Sequence, residues 1–265
     1  MSAPEQREGP KLPPVYRLVA LESVGSTMDE ARRLAEEGAE EGTLVWALEQ
    51  TSGRGRLGKS WHSPRGNLHF TLILRPEVPL AEAAQISFIA AVAMGEAIGT
   101  VSPPIEVTYK WPNDVLLQGN KVAGILLESR AAADGELEFL LLGCGVNVAH
   151  FPVDLGRTAT SMHYEGVPKD VTAADLLEAF GRHFLSRVSR WIDDGFAPVR
   201  KTWLRHAAGL GEQIEVRLPT ETLSGRFVDL DDDGCLLLEM EGGNQRRISS
   251  GEVYLTEQGH VAGDR

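Results

Sequence analysis

The sequence has 265 residues, 26 Lys and Arg against 38 Asp and Glu, a formal net charge of −12 and 42% hydrophobic residues. That is too apolar for a disordered chain and long enough for one large or two modest domains with a real core. The acidic surplus argues against general affinity for DNA, RNA or anionic membrane, because neutralising phosphate needs an excess of Lys and Arg.

The uncharged run 139–153 is shorter than the roughly 18 residues a membrane span needs, and Gly143, Gly145, Asn147 and Pro152 interrupt it. The N-terminus lacks the apolar stretch of a secretory signal. Cys144 and Cys235 are far apart with no CxxC spacing, which reads as two free buried thiols in a reducing cytoplasm.

Residues 1–14, rich in Pro, Glu and Gly, read as a disordered lead-in. A strand is expected over 15–22, then a helix from Ser26-Thr27, where Thr27 and Glu30 have capping-box spacing and Gly38 supplies the stop. A strand over 43–49 leads into a Gly- and Arg-rich loop over 50–65. Residues 67–74 alternate, with Leu68, Phe70, Leu72 and Leu74 on one face. Residues 83–99 are apolar almost all round and predict a buried helix. Short strands follow over 106–109, 115–117, 121–128 and 137–146. Gln118-Gly119-Asn120 forms a tight hairpin turn, and Asp134-Gly135 is a second turn signal. An amphipathic helix spans 175–193. From about Gly211, strands over 213–218, 223–230, 235–241, 246–249 and 253–256 predict a small β-barrel of about 50 residues. The fold class is therefore α+β: a catalytic domain over 15–208 and a small all-β domain over 209–265.

Charge is unevenly spread. From Gln50 to Pro76 there is no Asp or Glu, where average composition predicts about four, yet Arg54, Arg56, Lys59, Arg65 and Arg75 lie there. In Gly53-Arg54-Gly55-Arg56-Leu57-Gly58, glycine permits close backbone approach and arginine offers planar donors to phosphate or carboxylate. A flexible solvated loop or an RNA-binding segment would read the same way. Lys110-Trp111-Pro112-Asn113-Asp114 gathers a cation, an aromatic ring, an amide and a carboxylate at a strand end; Asp114 suits Mg²⁺ or an amine, and a plain surface turn is the alternative. In the apolar strand 121–128, Lys121 stands at the mouth and Gly124 marks a close approach, although an edge-strand lysine that discourages aggregation fits too. Gly143-Cys144-Gly145-Val146-Asn147 thins a sheet wall and ends on an amide suited to a nucleobase, or is a bulge with a capping Asn.

Taken together, in this order and spacing, Ser26-Thr27, Gln50 with Gly53-Arg54-Gly55-Arg56-x-Gly58 and Trp61, Lys110-Trp111-Pro112-Asn113-Asp114, Lys121-Val122-Ala123-Gly124-Ile125-Leu126 and Gly143-x-Gly145-Val146-Asn147 closely resemble the biotin protein ligases over roughly residues 15–256. The resemblance implies a mixed sheet flanked by helices, a class II synthetase-like catalytic domain, with a small C-terminal β-barrel. It implies two steps: ATP with Mg²⁺ converts biotin to biotinyl-5′-adenylate, and a lysine of a biotin carboxyl carrier protein then displaces AMP. Catalytic roles fall on Arg54, Lys121 and Asp114. Biotin is expected at Ser26, Thr27, Gln50, Arg54, Gly55, Arg56, Lys121 and Gly124, with Ile125 beside its chain. ATP is expected at Arg56, Lys110, Asn113, Trp61 as the adenine stack and Asn147 at the adenine edge. Asn113 and Asp114 are the metal candidates. The loop from Gln50 to Lys59 would fold over the adenylate and exclude water.

Two departures stand out. Ser60 replaces a basic residue that many members carry before the tryptophan, which puts adenylate retention in doubt. Only about 14 residues precede the first strand, so the DNA-binding domain of some members is not expected. An edge strand of the sheet is available for a homodimer, as in some members. The rival readings are a lipoate or octanoate–protein ligase of the same fold, an RNA-binding module built on the Gly-Arg loop, and a non-enzymatic biotin-binding regulator.

Overall fold

A computed structural model describes residues 9–131, 136–153 and 159–255. Strand β1 (Arg17–Leu21), helix α1 (Thr27–Glu36) and strand β2 (Thr43–Ala47) form a crossover with β1 and β2 parallel. Strands β3 (Leu68–Leu74), β4 (Val107–Lys110), β5 (Asp114–Leu117), β6 (Asn120–Ala131) and β7 (Leu137–Val146) complete a mixed seven-stranded sheet in the order β1-β2-β3-β7-β6-β5-β4. The one-turn helix α2 (Leu80–Ala83) leads into α3 (Ile86–Val101), which packs with α4 (Ala173–Asp194) and α5 (Ala197–Arg205).

Both faces of the sheet are covered. Leu68, Phe70, Leu72 and Leu74 of β3 join the main core with α3 and α4, and Phe70 meets Phe180 at 5.0 Å between ring centres. On the opposite face Met28, Ala31 and Ala35 of α1 pack on Val45, Ile73, Phe139 and Leu141. This explains why all of β3 is buried although its sequence alternates: His69 and Thr71 face the α1 side, where His69 Nε2 donates to Pro64 O and Thr71 Oγ1 donates to Thr27 Oγ1. Helix α3 is buried almost all round, as its composition predicts. The hairpin turn places Gln118 at φ 49° and Gly119 at φ 75°, the two positive values a tight hairpin needs.

Three expectations are corrected. The α1 cap is Ser26, whose hydroxyl accepts from Met28 N; Thr27 is the first helical residue and turns its hydroxyl elsewhere. Residues 9–14 are packed: Pro10 is buried, Lys11 N donates to Glu178 Oε1 at 2.7 Å, and Leu12 lies against Gly181. Residues 1–8, the Asp134-Gly135 turn signal and Thr256 lie outside the described residues. Helix α5, which the sequence reading did not assign, follows the break at Gly195 and buries Val199 and Trp203 at helical spacing.

The third correction concerns the C-terminal unit. Strands β8 (Gln213–Arg217), β9 (Thr222–Leu230), β10 (Leu236–Glu239), β11 (Gln245–Ile248) and β12 (Glu252–Leu255) form an antiparallel sheet in the order β11-β10-β9-β8-β12. Strands β11 and β12 are its two edges and do not pair with each other, so among the described residues the sheet is open rather than a closed barrel. It docks on the first domain through Trp111 Nε1 to Gly234 O at 3.0 Å, Gln85 Nε2 to Asp232 O at 3.1 Å and Arg200 to Asp229 at 2.6 Å. That docking brings β12 to the mouth of the cleft described next.

Candidate active site

A cleft of about 570 Å³ opens between the central strands, the Gly-Arg loop and β12. Its floor is made by absent side chains. Gly124 of β6 sits opposite Gly145 of β7 in register, and Gly143 faces Leu126. The indole of Trp61 lies on this floor: a Cβ at Gly145 would stand 2.4 Å from Trp61 Nε1, and one at Gly124 would stand 3.3 Å from Cζ3. Further along, a Cβ at Gly143 would meet Met28 Sδ at 2.7 Å.

One end of the cleft is a buried, neutral hydrogen-bonding corner. Thr27 donates from its backbone N at 2.8 Å and from its hydroxyl at 3.0 Å to Gln50 Oε1. Thr71 Oγ1 donates to Thr27 Oγ1 at 2.9 Å, and Gln50 Nε2 donates to Ser63 Oγ at 2.8 Å. Close by on β3, His69 donates from Nε2 to Pro64 O while its Nδ1 has no partner, and burial lowers its pKa to about 4.

The other end is charged. Lys121 Nζ and Asp114 Oδ1 are 2.5 Å apart, and the ammonium lies 5.4 Å from the Trp61 ring centre. Arg56 donates to Asn113 Oδ1 at 3.2 Å and to Gly251 O at 3.4 Å; burial pushes its pKa down, while Asp114 and Glu252 push it up. Lys59 pairs with Glu252 of β12, and Tyr254 donates to the other oxygen of that carboxylate at 3.0 Å. Lys110 Nζ lies 5.8 Å from the Tyr254 ring centre. Residues 54–60 form a tight hairpin: Arg54 bridges Ser60, Gly55 N bonds Lys59 O at 2.7 Å, and Leu57 and Gly58 turn the tip with positive φ.

Every site residue expected from the sequence lines this one cleft: Ser26, Thr27, Gln50, Arg54, Gly55, Arg56, Trp61, Lys110, Asn113, Asp114, Lys121, Gly124 and Asn147. Their engagements differ from a simple ligand set. Arg54 gives one nitrogen to Asp29 Oδ1 at 2.7 Å. Asn113 spends its amide nitrogen on Ile125 O and its oxygen on Arg56, so it pins the turn after the cis Trp111–Pro112 bond. Asn147, itself buried, donates from Nδ2 to Thr160 O at 3.0 Å. Sequence reasoning missed Met28, Ser63, Thr71, and Glu252 and Tyr254 of β12. Ser63 lies in the Gly- and Arg-rich loop but carries no charge, the others stand in no such motif, and β12 reaches the cleft only through domain docking. Among the described residues no three His, Cys, Asp or Glu cluster to hold a metal. Asp114 offers one free carboxylate oxygen, which suits a Mg²⁺ ion that takes most of its shell from phosphate and water.

Comparison with known proteins agrees with this geometry. A model of the biotin/lipoate A/B protein ligase family matches residues 12–205, and one of the biotin protein ligase C terminal domain matches 209–256. A biotin–[acetyl-CoA-carboxylase] ligase from Paracoccus denitrificans is 40% identical, over 86% of this chain and 96% of its own. The bifunctional ligase/repressor BirA of Bacillus subtilis is 35% identical, over 90% of this chain and 74% of its own. The biotin protein ligase of Aquifex aeolicus, solved in complex with biotin and ATP, superposes with a TM-score of 0.76 at 30% identity, covering 90% of this chain and 97% of that one.

Proposed function

This chain belongs to the biotin/lipoate A/B protein ligase family, and from that premise we propose that its cleft joins biotin to ATP as biotinyl-5′-adenylate and passes the acyl group to a lysine of a biotin carboxyl carrier protein. The observation that carries this reading is the pairing of a neutral head-group corner with a cationic end across one glycine floor.

The corner is complementary to a ureido group. Ser26 Oγ accepts from Met28 N, so its own proton is free to give to a carbonyl. Gln50 Nε2 has a second N–H to give, and Thr27 Oγ1 keeps a lone pair for a ligand N–H. Ile125 and Leu126 line the path of the acyl chain.

At the cationic end a carboxylate oxygen of biotin attacks the α-phosphorus of ATP and pyrophosphate leaves. Lys121, Arg54 and Arg56 offset the repulsion between the two anions and hold them in line. Trp61 stacks the adenine and the free Oδ1 of Asn147 takes its amino group. Lys110 draws the outer phosphates. Asp114 would hold, through its other carboxylate oxygen, a magnesium ion entering with ATP, and that ion would supply charge neutralisation on those phosphates. In the second step the carrier amine attacks the acyl carbon, AMP leaves with the bonding pair, and Asp114 accepts the amine proton. The hairpin over 54–60 covers the mixed anhydride, and the Lys59–Glu252 pair tethers it to β12.

Domain boundaries follow this division of labour: 15–208 for catalysis, and 209–265 for the C-terminal unit whose sheet, Gln213–Leu255, closes the mouth. The free buried thiols Cys144 and Cys235 support a reducing, cytoplasmic setting. The net charge of −12 supports a ligase without DNA binding. A homodimer would use the β1 edge, since β4 is capped by backbone bonds from Tyr109 to His206 and Ala208. The test is isotope exchange: biotin drives exchange of pyrophosphate into ATP, whereas exchange driven by lipoate or octanoate instead would make the chain a lipoyl-type ligase.

A further inference from the structure

We propose that Ser63 and Thr71, neither of which would touch the substrate, are positioning residues that fix the donor and acceptor polarity of the head-group corner.

The argument starts from a group that cannot change its role. The backbone N–H of Thr27 is always a donor, and it lies 2.8 Å from the Gln50 side-chain oxygen. That single bond sets which way the Gln50 amide faces. The Thr27 hydroxyl, 3.0 Å from the same oxygen, must then donate as well. Its proton is spent, so the Thr71 hydroxyl at 2.9 Å can only give to it. On the other side Gln50 Nε2 must donate to Ser63 Oγ at 2.8 Å, and Ser63 gives its own proton to the Trp61 carbonyl at 3.2 Å. The result is a one-way relay from Thr71 through Thr27, Gln50 and Ser63 to the backbone of Trp61.

Burial makes the relay selective. Thr71, Ser63 and Thr27 are 0%, 4% and 3% exposed, so water does not readily replace a missing partner. The chain also makes room for it. A Cβ on Gly53 would stand 2.5 Å from Ser63 Oγ, 2.6 Å from Trp61 O and 3.1 Å from Gln50 Nε2. The first glycine of the Gly-Arg motif is therefore needed for this relay, at a position where its φ is not in the left-handed region. With the relay intact Thr27 can only accept from a ligand and Gln50 can only donate, while Ser26, outside the relay, keeps its proton to give. That pattern fits a cyclic urea and suits a dithiolane or a bare alkyl tail poorly.

The proposal rests on the ligase reading above. The experiment is pyrophosphate exchange with each substrate titrated separately, on the parent and on Ser63→Ala, Thr71→Val, Ser63→Thr and Thr71→Ser. Ser63→Ala and Thr71→Val raise KM for biotin by about 5- to 150-fold, the cost of one buried unpaired polar group. KM for ATP stays within twofold, because Trp61 N remains bonded to Gly53 O at 2.9 Å. Ser63→Thr and Thr71→Ser, which keep the hydroxyl, stay near the parent. A KM for biotin within twofold of the parent in either folded truncation overturns the relay. So does an equal rise in KM for ATP, which marks a general structural defect. A parent with no biotin-driven exchange overturns the ligase reading and the relay's use together.

Discussion

Replacing Gly145 by Ala puts one methyl group where Trp61 rests. The new Cβ would lie 2.4 Å from Nε1, 2.6 Å from Cε2 and 3.0 Å from Cδ1 of the indole. Ordinary contact starts near 3.4 Å, so the ring must retreat by about 1 Å. The strand beneath cannot yield, because Gly145 is paired on both sides, with His69 and with Gly124. The ring is driven into the lumen that the adenine needs. Loss of a base–aromatic stack is worth about 1–3 kcal/mol, which predicts a rise in KM for ATP of about 5- to 150-fold. Gly143→Ala is the internal control: its Cβ meets Met28 Sδ at 2.7 Å, the end of a flexible thioether. It raises KM for biotin by less and leaves KM for ATP unchanged. Pyrophosphate exchange with each substrate titrated, alongside thermal melting, reads both effects. A folded Gly145→Ala enzyme with KM for ATP within twofold of the parent refutes the assignment of Trp61 to the nucleotide.

Lys121→Ala lowers adenylate formation by about 100-fold or more in single-turnover assays with an unchanged melting transition; near-parent rates would remove Lys121 from the reaction. Asp114→Asn slows acyl transfer to the carrier more than it slows adenylate formation, and equal losses in the two half-reactions would contradict its role with the amine. Lys59→Ala costs at most about 1 kcal/mol of stability, since the pair with Glu252 is partly exposed, yet it speeds adenylate escape into solution; an unchanged escape rate would free the hairpin of that tether. His69 is held at about pKa 4, below the unfolded value near 6.5, so the unfolded chain takes up its proton first as pH falls. Stability is therefore lost progressively from about pH 6.5 down to 4, on the order of 3 kcal/mol in full. His69→Phe flattens that part of the melting-temperature profile, and an unaltered slope would assign the acid limb to other groups.

Much of the cleft was legible because its chemistry is concentrated in short motifs. Gly124 and Gly145 signalled a bare floor, and the acid-free window around Arg54 and Arg56 signalled a bound anion. Strand β7 was legible to both of its ends, Leu137 and Val146, because turn-forming residues flank its apolar run in the sequence. What escaped notice depends on contacts distant in sequence. Thr71 looks like an ordinary strand residue until Thr27, 44 positions away, supplies its partner. Glu252 and Tyr254 gain meaning only when the second sheet docks through Gly234, Asp232 and Asp229. The capping role went to Ser26 rather than Thr27 because Gln50 claims the Thr27 hydroxyl, a competition that local spacing does not encode. The regular strand spacing after Gly211 correctly indicated an all-β unit. Closure depends on whether β11 and β12 meet, and five short strands leave that undetermined.

The central claim is acyl transfer from biotin to a protein lysine. Its most direct test is incubation of the purified protein with biotin, MgATP and a biotin carrier domain, read by intact mass and by the position of the label. The account predicts a gain of one biotinyl group on a single carrier lysine, dependent on ATP and lost with Lys121→Ala. A carrier of unchanged mass, or one labelled equally well without ATP, would contradict it.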